Sequence, residues 1–270
     1  MQASRAQKWL FGGISLLVLL FLYVPLFVIV LYSFNKSTIN SWPFPGFSTR
    51  WYTTLWHDPQ PREAALLSAK IAIASTAVAL ILGTSMAFAF ARFRFRGGQL
   101  INFGVTLPII MPGVITGVAL ASFFLFFGTN LSVWTVIVGH ITFCIVLIFN
   151  NVLARLRRVS PSLEEASRDL GASGIKTFWY VTLPTIRTSL VAGALLSLAL
   201  SFDEIAVTFF LAGADTNTLP LWIFGQFRTT QSLPEVNAVA TVILVVSIPM
   251  IVLAAYLMRD EGSARVIGEK

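Results

Sequence analysis

From Leu10 to Tyr32 the chain carries no charged residue. An uncharged apolar run of that length can cross a bilayer, whose hydrocarbon core needs about 20 helical residues. Predominantly apolar runs recur at Ala64 to Ala91, Leu100 to Phe127, Ser132 to Leu153, Ile186 to Ala212 and Val236 to Met258. Of the 270 residues 56% are hydrophobic and 11% charged, with a mean hydropathy of +0.79. An ordinary soluble domain has about 25% charged residues. The pattern predicts an all-α integral membrane protein with six transmembrane helices.

The first run exceeds a secretory h-region of about 7 to 15 residues and is not followed by a small-residue cleavage site, so it reads as a retained span. Between it and the second run, Ser33 to Glu63 is an outer loop carrying the interface-type aromatics Trp42, Trp51, Tyr52 and Trp56. Ala, Ser and Thr with Gly83 in the second run suit close helix packing. Pro108 and Pro112 interrupt the third run, predicting a kinked or partly unwound helix.

The net charge of +7 is gathered in short basic runs beside apolar segments, which sets orientation in a membrane and gives no reason to expect nucleic-acid binding. With the amino terminus in the cytoplasm, 14 of the 19 Lys and Arg fall on inner segments. Lys36, Arg50, Arg62, Lys70 and Arg228 remain outside. Both termini are therefore expected inside. The single cysteine, Cys144, lies in an apolar run and offers no disulfide or thiol metal site.

The stretch 160–184, SPSLEEASRDLGASGIKTFWYVTLP, is polar and compact among membrane-apolar neighbours. Pro161 suits a first helical turn, Ser162 and Glu165 have capping-box spacing, and Gly171 can take the left-handed conformation that ends the helix. Ser173 and Gly174 then open a second short helix running toward Pro184. Leu163, Ala166 and Leu170 share one face of the first helix, with Glu164, Arg168 and Asp169 available to water or a partner.

Glu165, Ala166, Ser167, Gly171, Val181, Thr182, Leu183 and Pro184 together resemble the EAA-loop signature of bacterial ABC importer permeases. Ser167 stands where a second Ala is usual and Val181 where Ile is usual. The resemblance implies the type I ABC importer transmembrane-domain fold over residues 1–270 as a single domain, with 160–184 as a cytoplasmic coupling loop. It further implies that Glu165, Ala166 and Gly171 couple the chain to two ABC ATPase subunits, which bind ATP and Mg. The chain itself would hold no cofactor and catalyse nothing. A second related permease and a periplasmic or surface-anchored solute-binding protein would complete an importer in the bacterial cytoplasmic (inner) membrane.

Asp203 and Glu204 lie in the middle of the fifth run. A central Asp costs about 2.5 to 3.5 kcal/mol on insertion scales, so such residues face a water-filled path, a partner or a ligand. Adjacent helical residues diverge by about 100°, so one of the two is expected to face a pathway while the other braces. SFDEIAVTFFLAG, TLPLWIF and PEVNAVATVILVVS, with FSTRWY in the outer loop and GHITFCIVLIFNNVLARLRR in the fourth run, are similar to the polyamine/opine branch of these permeases. That likeness implies that Asp203 and Glu204 help receive a cationic amine, with Trp51 as an aromatic contributor. One position departs. Gly113 follows Pro112 where putrescine and spermidine permeases tend to carry an acid, which leaves room for a zwitterionic amine such as 4-aminobutyrate or an opine.

His140 reads as a packed or hydrogen-bonded helix residue, and His57 stands alone in the outer loop. Ser201 has no His or Lys partner in sequence to activate it, and two carboxylates alone make no metal site. Two other classes remain. An ion-coupled secondary transporter would use Asp203 or Glu204 as the coupling carboxylate, although no internal repeat is present. A scaffold subunit would tolerate neutralisation of both acids.

Overall fold

A computed structural model of the chain describes residues 5–38, 43, 45–93, 96–229 and 233–263. Trp42, Arg94 and the tail from Ala264 lie outside the described residues. In chain order the helices are α1 (Arg5–Tyr32), α2 (Arg50–His57), α3 (Pro59–Arg92), α4 (Gly98–Ile110), α5 (Gly113–Phe126), α6 (Val133–Leu156), α7 (Ser162–Asp169) and α8 (Gly174–Thr177). A π-helical segment, Phe178–Thr182, leads into α9 (Leu183–Asp203), followed by α10 (Ala206–Leu211), α11 (Leu219–Thr229) and α12 (Leu233–Ser263).

Four of these stretches are long and apolar enough to cross a membrane: Trp9–Tyr32, Pro59–Arg92, Val133–Leu156 and Gly174–Asp203. The pair α4 and α5, bent by 105° at their junction, makes a fifth if the two are taken as one span. Helix α12 contributes a shorter apolar stretch, Leu233–Pro249.

The bend has a local cause. A residue before proline is pushed out of the helical region, and Met111 is extended, with φ −71° and ψ 139°. Pro112 can neither donate to the turn before it nor continue it, so α5 starts afresh at Gly113. Pro108, also expected to break the run, sits within the last turn of α4 and does not interrupt it.

The chain divides into two compact units, 1–62 with 223–270 and 63–222. In the first, α12 packs on α1 and on α2. The loop after α1 is pinned by the Trp51 indole N–H donating to the Asn35 carbonyl at 2.7 Å and by Ser33 Oγ lying 2.7 Å from the Tyr52 hydroxyl.

The second unit is organised around α6, in which Val136, Val146, Ile148, Phe149 and Val152 are fully buried. Its main neighbour is α9. In lipid, exclusion from water adds little to helix association, so close contact must supply it. The small residues of α3 serve that end. A Cβ placed on Gly83 would lie 3.0 Å from both the Ile145 carbonyl and Ile148 Cγ2, while the Ser75 hydroxyl donates to the Ile137 carbonyl at 3.2 Å. Cys144 is fully buried in the same core.

Two sequence expectations need correction here. The fifth run is not one helix, because α9 stops at Asp203 and α10 begins at Ala206. The capping box expected from Ser162 and Glu165 is absent, since Pro161 holds the cap position and Ser162 is already helical; Ser160 Oγ accepts from the Ser162 N–H instead, at 3.3 Å.

Candidate functional site

The break between α9 and α10 falls on the two membrane acids. Glu204 leaves the helical region, with φ −73° and ψ 115°, and its side chain turns forward so that Oε1 accepts from the Val207 N–H at 2.9 Å. Helix starts leave N–H groups unpaired, and a carboxylate there satisfies one of them and meets the positive end of the helix dipole. Thr208 closes the turn by donating to the Glu204 carbonyl at 2.7 Å. Asp203, one residue earlier, is exposed.

His140 spans the gap from α6. Its Nδ1 lies 2.7 Å from Ser201 Oγ on α9 and its Nε2 lies 2.9 Å from Thr208 Oγ1 on α10. Because the Thr208 hydroxyl donates its proton to the Glu204 carbonyl, it accepts from Nε2–H. The imidazole is a clasp across the broken helix, 1% exposed. At the far end of α10 the Leu211 carbonyl accepts from Thr135 Oγ1 at 2.8 Å.

Helix α5 begins beside this break. A Cβ on Gly113 would lie 3.0 Å from Ala206 Cβ and 3.4 Å from Glu204 Oε1, and one on Gly117 would lie 2.9 Å from the Phe210 ring. Bare backbone at these positions lets the starts of α5 and α10 meet. Two interrupted helices thus converge in an apolar unit, with one carboxylate used as a cap and a second left open.

The stretch 160–184 forms a second feature of the same unit. Gly171 has φ +84°, the left-handed conformation expected of it. The Gly171 N–H donates to the Arg168 carbonyl at 2.8 Å and the Ala172 N–H to the Ser167 carbonyl at 3.1 Å, a Schellman ending for α7. Ser173 then caps α8 by accepting from the Lys176 N–H at 3.4 Å.

Helix α7 turns the polar Glu164 and Ser167 inward. Leu163 and Leu170 are exposed, Leu170 to 90%, as are Glu165 and Ala166. Glu164, expected at the surface, is instead buried. Its Oε1 accepts from Arg92 Nη2 at 2.5 Å and from Thr182 Oγ1 at 2.9 Å. The correction follows from geometry: Glu164 lies on the face of Ser167, which reaches Thr177 at 3.1 Å. No local sequence signal marks this pairing, since Arg92 lies 72 positions before Glu164.

Trp51 lies in the first unit and the two acids in the second. It is buried, its N–H engaged by Asn35 and the Arg50 guanidinium 4.2 Å above its ring. His57 is exposed.

Residues 79–260 match the family described as binding-protein-dependent transport system inner membrane component. The chain is 39% identical over 238 residues to the putrescine transport system permease protein PotI of Escherichia coli (strain K12), covering 86% of this chain and 84% of that protein. It is 33% identical over 258 residues to the spermidine/putrescine transport system permease protein PotC of Haemophilus influenzae, covering 95% and 99%. Among solved structures it is similar to a chain of a bacterial ABC transporter involved in the import of the acidic polysaccharide alginate, with a TM-score of 0.68 at 19% identity over 96% of this chain and 99% of that one. A chain of the MetNI methionine ABC transporter gives a TM-score of 0.63 at 16% identity over 77% and 97%.

Proposed function

This chain belongs to the family of binding-protein-dependent transport system inner membrane components, and from that membership we propose that it forms the pathway for a small amine-bearing solute, putrescine or spermidine in the first instance. It is a permease subunit of an ABC importer and not an enzyme. ATP and Mg belong to two partner ATPase subunits, a second related permease lines the other half of the pathway, and a solute-binding protein delivers the cargo. Both termini and the 160–184 loop face the cytoplasm. There Glu165, Ala166 and Gly171 belong to the surface that meets the ATPase, and the outward leucines of α7 are what a partner groove would cover.

The observation that carries the solute class is the division of labour at the α9–α10 break. Glu204 caps α10, whereas Asp203 is exposed within a membrane-apolar stretch. An open carboxylate at that depth is easiest to maintain if a cation or water meets it during the cycle. Asp203 is then the amine-facing acid and Glu204 its brace, while Trp51 orders the loop after α1.

Uptake of labelled putrescine into vesicles holding the complete complex, with ATP supplied and the proton gradient collapsed, is the test. ATP-dependent accumulation is expected. Uptake that instead follows the proton gradient would move the chain to the ion-coupled class and make the acids coupling groups.

A further inference from the structure

Glu164 joins three elements through one oxygen. Arg92, the last residue of α3, and Thr182, the last residue of the π segment before α9, both donate to its Oε1. The same junction is tied elsewhere. Phe88, one turn before Arg92, meets Phe178 edge-on at 6.0 Å, and the Arg92 guanidinium stands 5.7 Å from the Phe88 ring. Ser167 and Thr177 link α7 to α8. Side-chain exposure of the ionic partners is 18% for Arg92 and 8% for Glu164.

A buried ion pair stabilises a fold no more than well-packed apolar residues of the same volume would, but it is directional. Here one carboxylate oxygen serves two donors on two different helices, so a displacement of α7 cannot leave either donor in place. A π segment, with its extra residue per turn, often marks a functional position, and Thr182 sits at its end. We propose that Glu164, with Arg92 and Thr182, is the node through which movement of α7 reaches α3 and α9 together. The three act as positioning residues for energy coupling. This rests on the reading of 160–184 as the ATPase-docking loop.

The complete complex, reconstituted in vesicles with its ATPase subunits, second permease and binding protein, allows a direct test with R92Q, E164Q, T182V and the exchange R92E/E164R. Two ratios are read: ATP hydrolysed per putrescine imported, and the change in thiol labelling of Asp203→Cys between nucleotide-free and vanadate-trapped complex. R92Q and E164Q should each raise the first ratio about tenfold, within the range of couplings between sites. They should also suppress the nucleotide-dependent change in labelling. The exchange should recover both readouts toward wild type, and T182V, which keeps the ion pair, should show a smaller loss. Unchanged ratios in R92Q and E164Q would overturn the node. So would parallel loss of hydrolysis and uptake with no recovery in the exchange, since the pair would then only hold the fold. Should a charge variant fail to assemble, an unchanged ratio in T182V would overturn it equally. A wild-type complex that does not import putrescine counts against the proposed solute alone, because the labelling readout needs no solute.

Discussion

Glu204 Oε1 accepts from the Val207 N–H at 2.9 Å, while Asp203, its immediate neighbour, is exposed. Two acids adjacent in sequence therefore have separable consequences. Asp203→Asn should lower uptake of a cationic amine by about tenfold or more, since attraction between unit charges at 4 Å is worth roughly 1 to 4 kcal/mol in media from water to intermediate dielectric. It should leave thermal stability unchanged. Glu204→Ala removes a helix cap and should cost about 1 kcal/mol, whereas Glu204→Gln keeps an acceptor and should cost less. Uptake assays paired with thermal unfolding of the detergent-purified protein check the contrast. Equal behaviour of Asp203→Asn and Glu204→Ala would contradict it.

Gly171 isolates backbone strain from crowding, because a Cβ there would meet nothing within 4 Å while φ is +84°. Gly171→Val should cost about 1 to 2 kcal/mol locally and re-aim α8. Insertion should be normal. ATPase association or solute-stimulated hydrolysis should fall, and wild-type transport by a well-expressed Gly171→Val protein would remove the loop from the coupling role.

His140→Phe keeps the ring and leaves the Ser201 and Thr208 hydroxyls without their imidazole partner. Each buried polar group left unpaired costs about 1 to 3 kcal/mol. The double change Ser201→Ala with Thr208→Val, made on His140→Phe, should recover part of the loss. A double-mutant cycle on melting temperature measures the coupling, and strict additivity would show that His140 is not a clasp.

Glu235 lies just ahead of the apolar run that starts at Val236 and is 9% exposed, with Oε1 unpartnered among the described residues. Burial, with the Asp58 carboxylate adding to it, raises its carboxyl above the ordinary value of 4.5. A raised acid holds its proton in the folded state after the unfolded chain has lost it. Stability from this group is therefore full below pH 4.5 and declines as pH rises through the raised value. Glu235→Gln should flatten that decline and melt higher than wild type at neutral pH. Melting curves from pH 4.5 upward would show no difference in slope if the carboxyl were unperturbed.

Orientation is open to a simple labelling experiment. Tags after Arg96 and after Lys270 should be reachable only from the cytoplasm, and tags near Pro45 or Thr216 only from outside. Protection of either outer tag would reverse the side assigned to the docking loop.

Much of the architecture was legible because membrane apolarity is written in long runs, and the carboxyl ends of α1, α3 and α6 follow the ends of the apolar runs closely. The turn at Gly171 was legible for another reason: glycine at a helix end has a specific backbone use. The break at Glu204 was not. No proline or glycine marks it, and it is held by His140, Thr208 and the Val207 N–H, partners that only folding brings together. Glu164 was misassigned for a related reason. An acid on a short polar helix reads as solvated unless its partner, 72 positions earlier in Arg92, is known.

The 105° bend between α4 and α5 bears on a matter of parity. Each crossing exchanges the side on which the following loop emerges, so the side of 160–184 depends on whether the crossings between it and Arg5 are odd or even in number. With α1, α3 and α6 each crossing once, the loop returns to the side of Arg5 and Lys8 only if the bent pair also crosses once. Were α5 to turn back to the face from which α4 set out, every loop after Phe127 would change sides and the EAA stretch would face away from any ATP-hydrolysing partner. The kink at Met111–Pro112 thus serves as an arithmetic hinge for the topology of the carboxyl-terminal half.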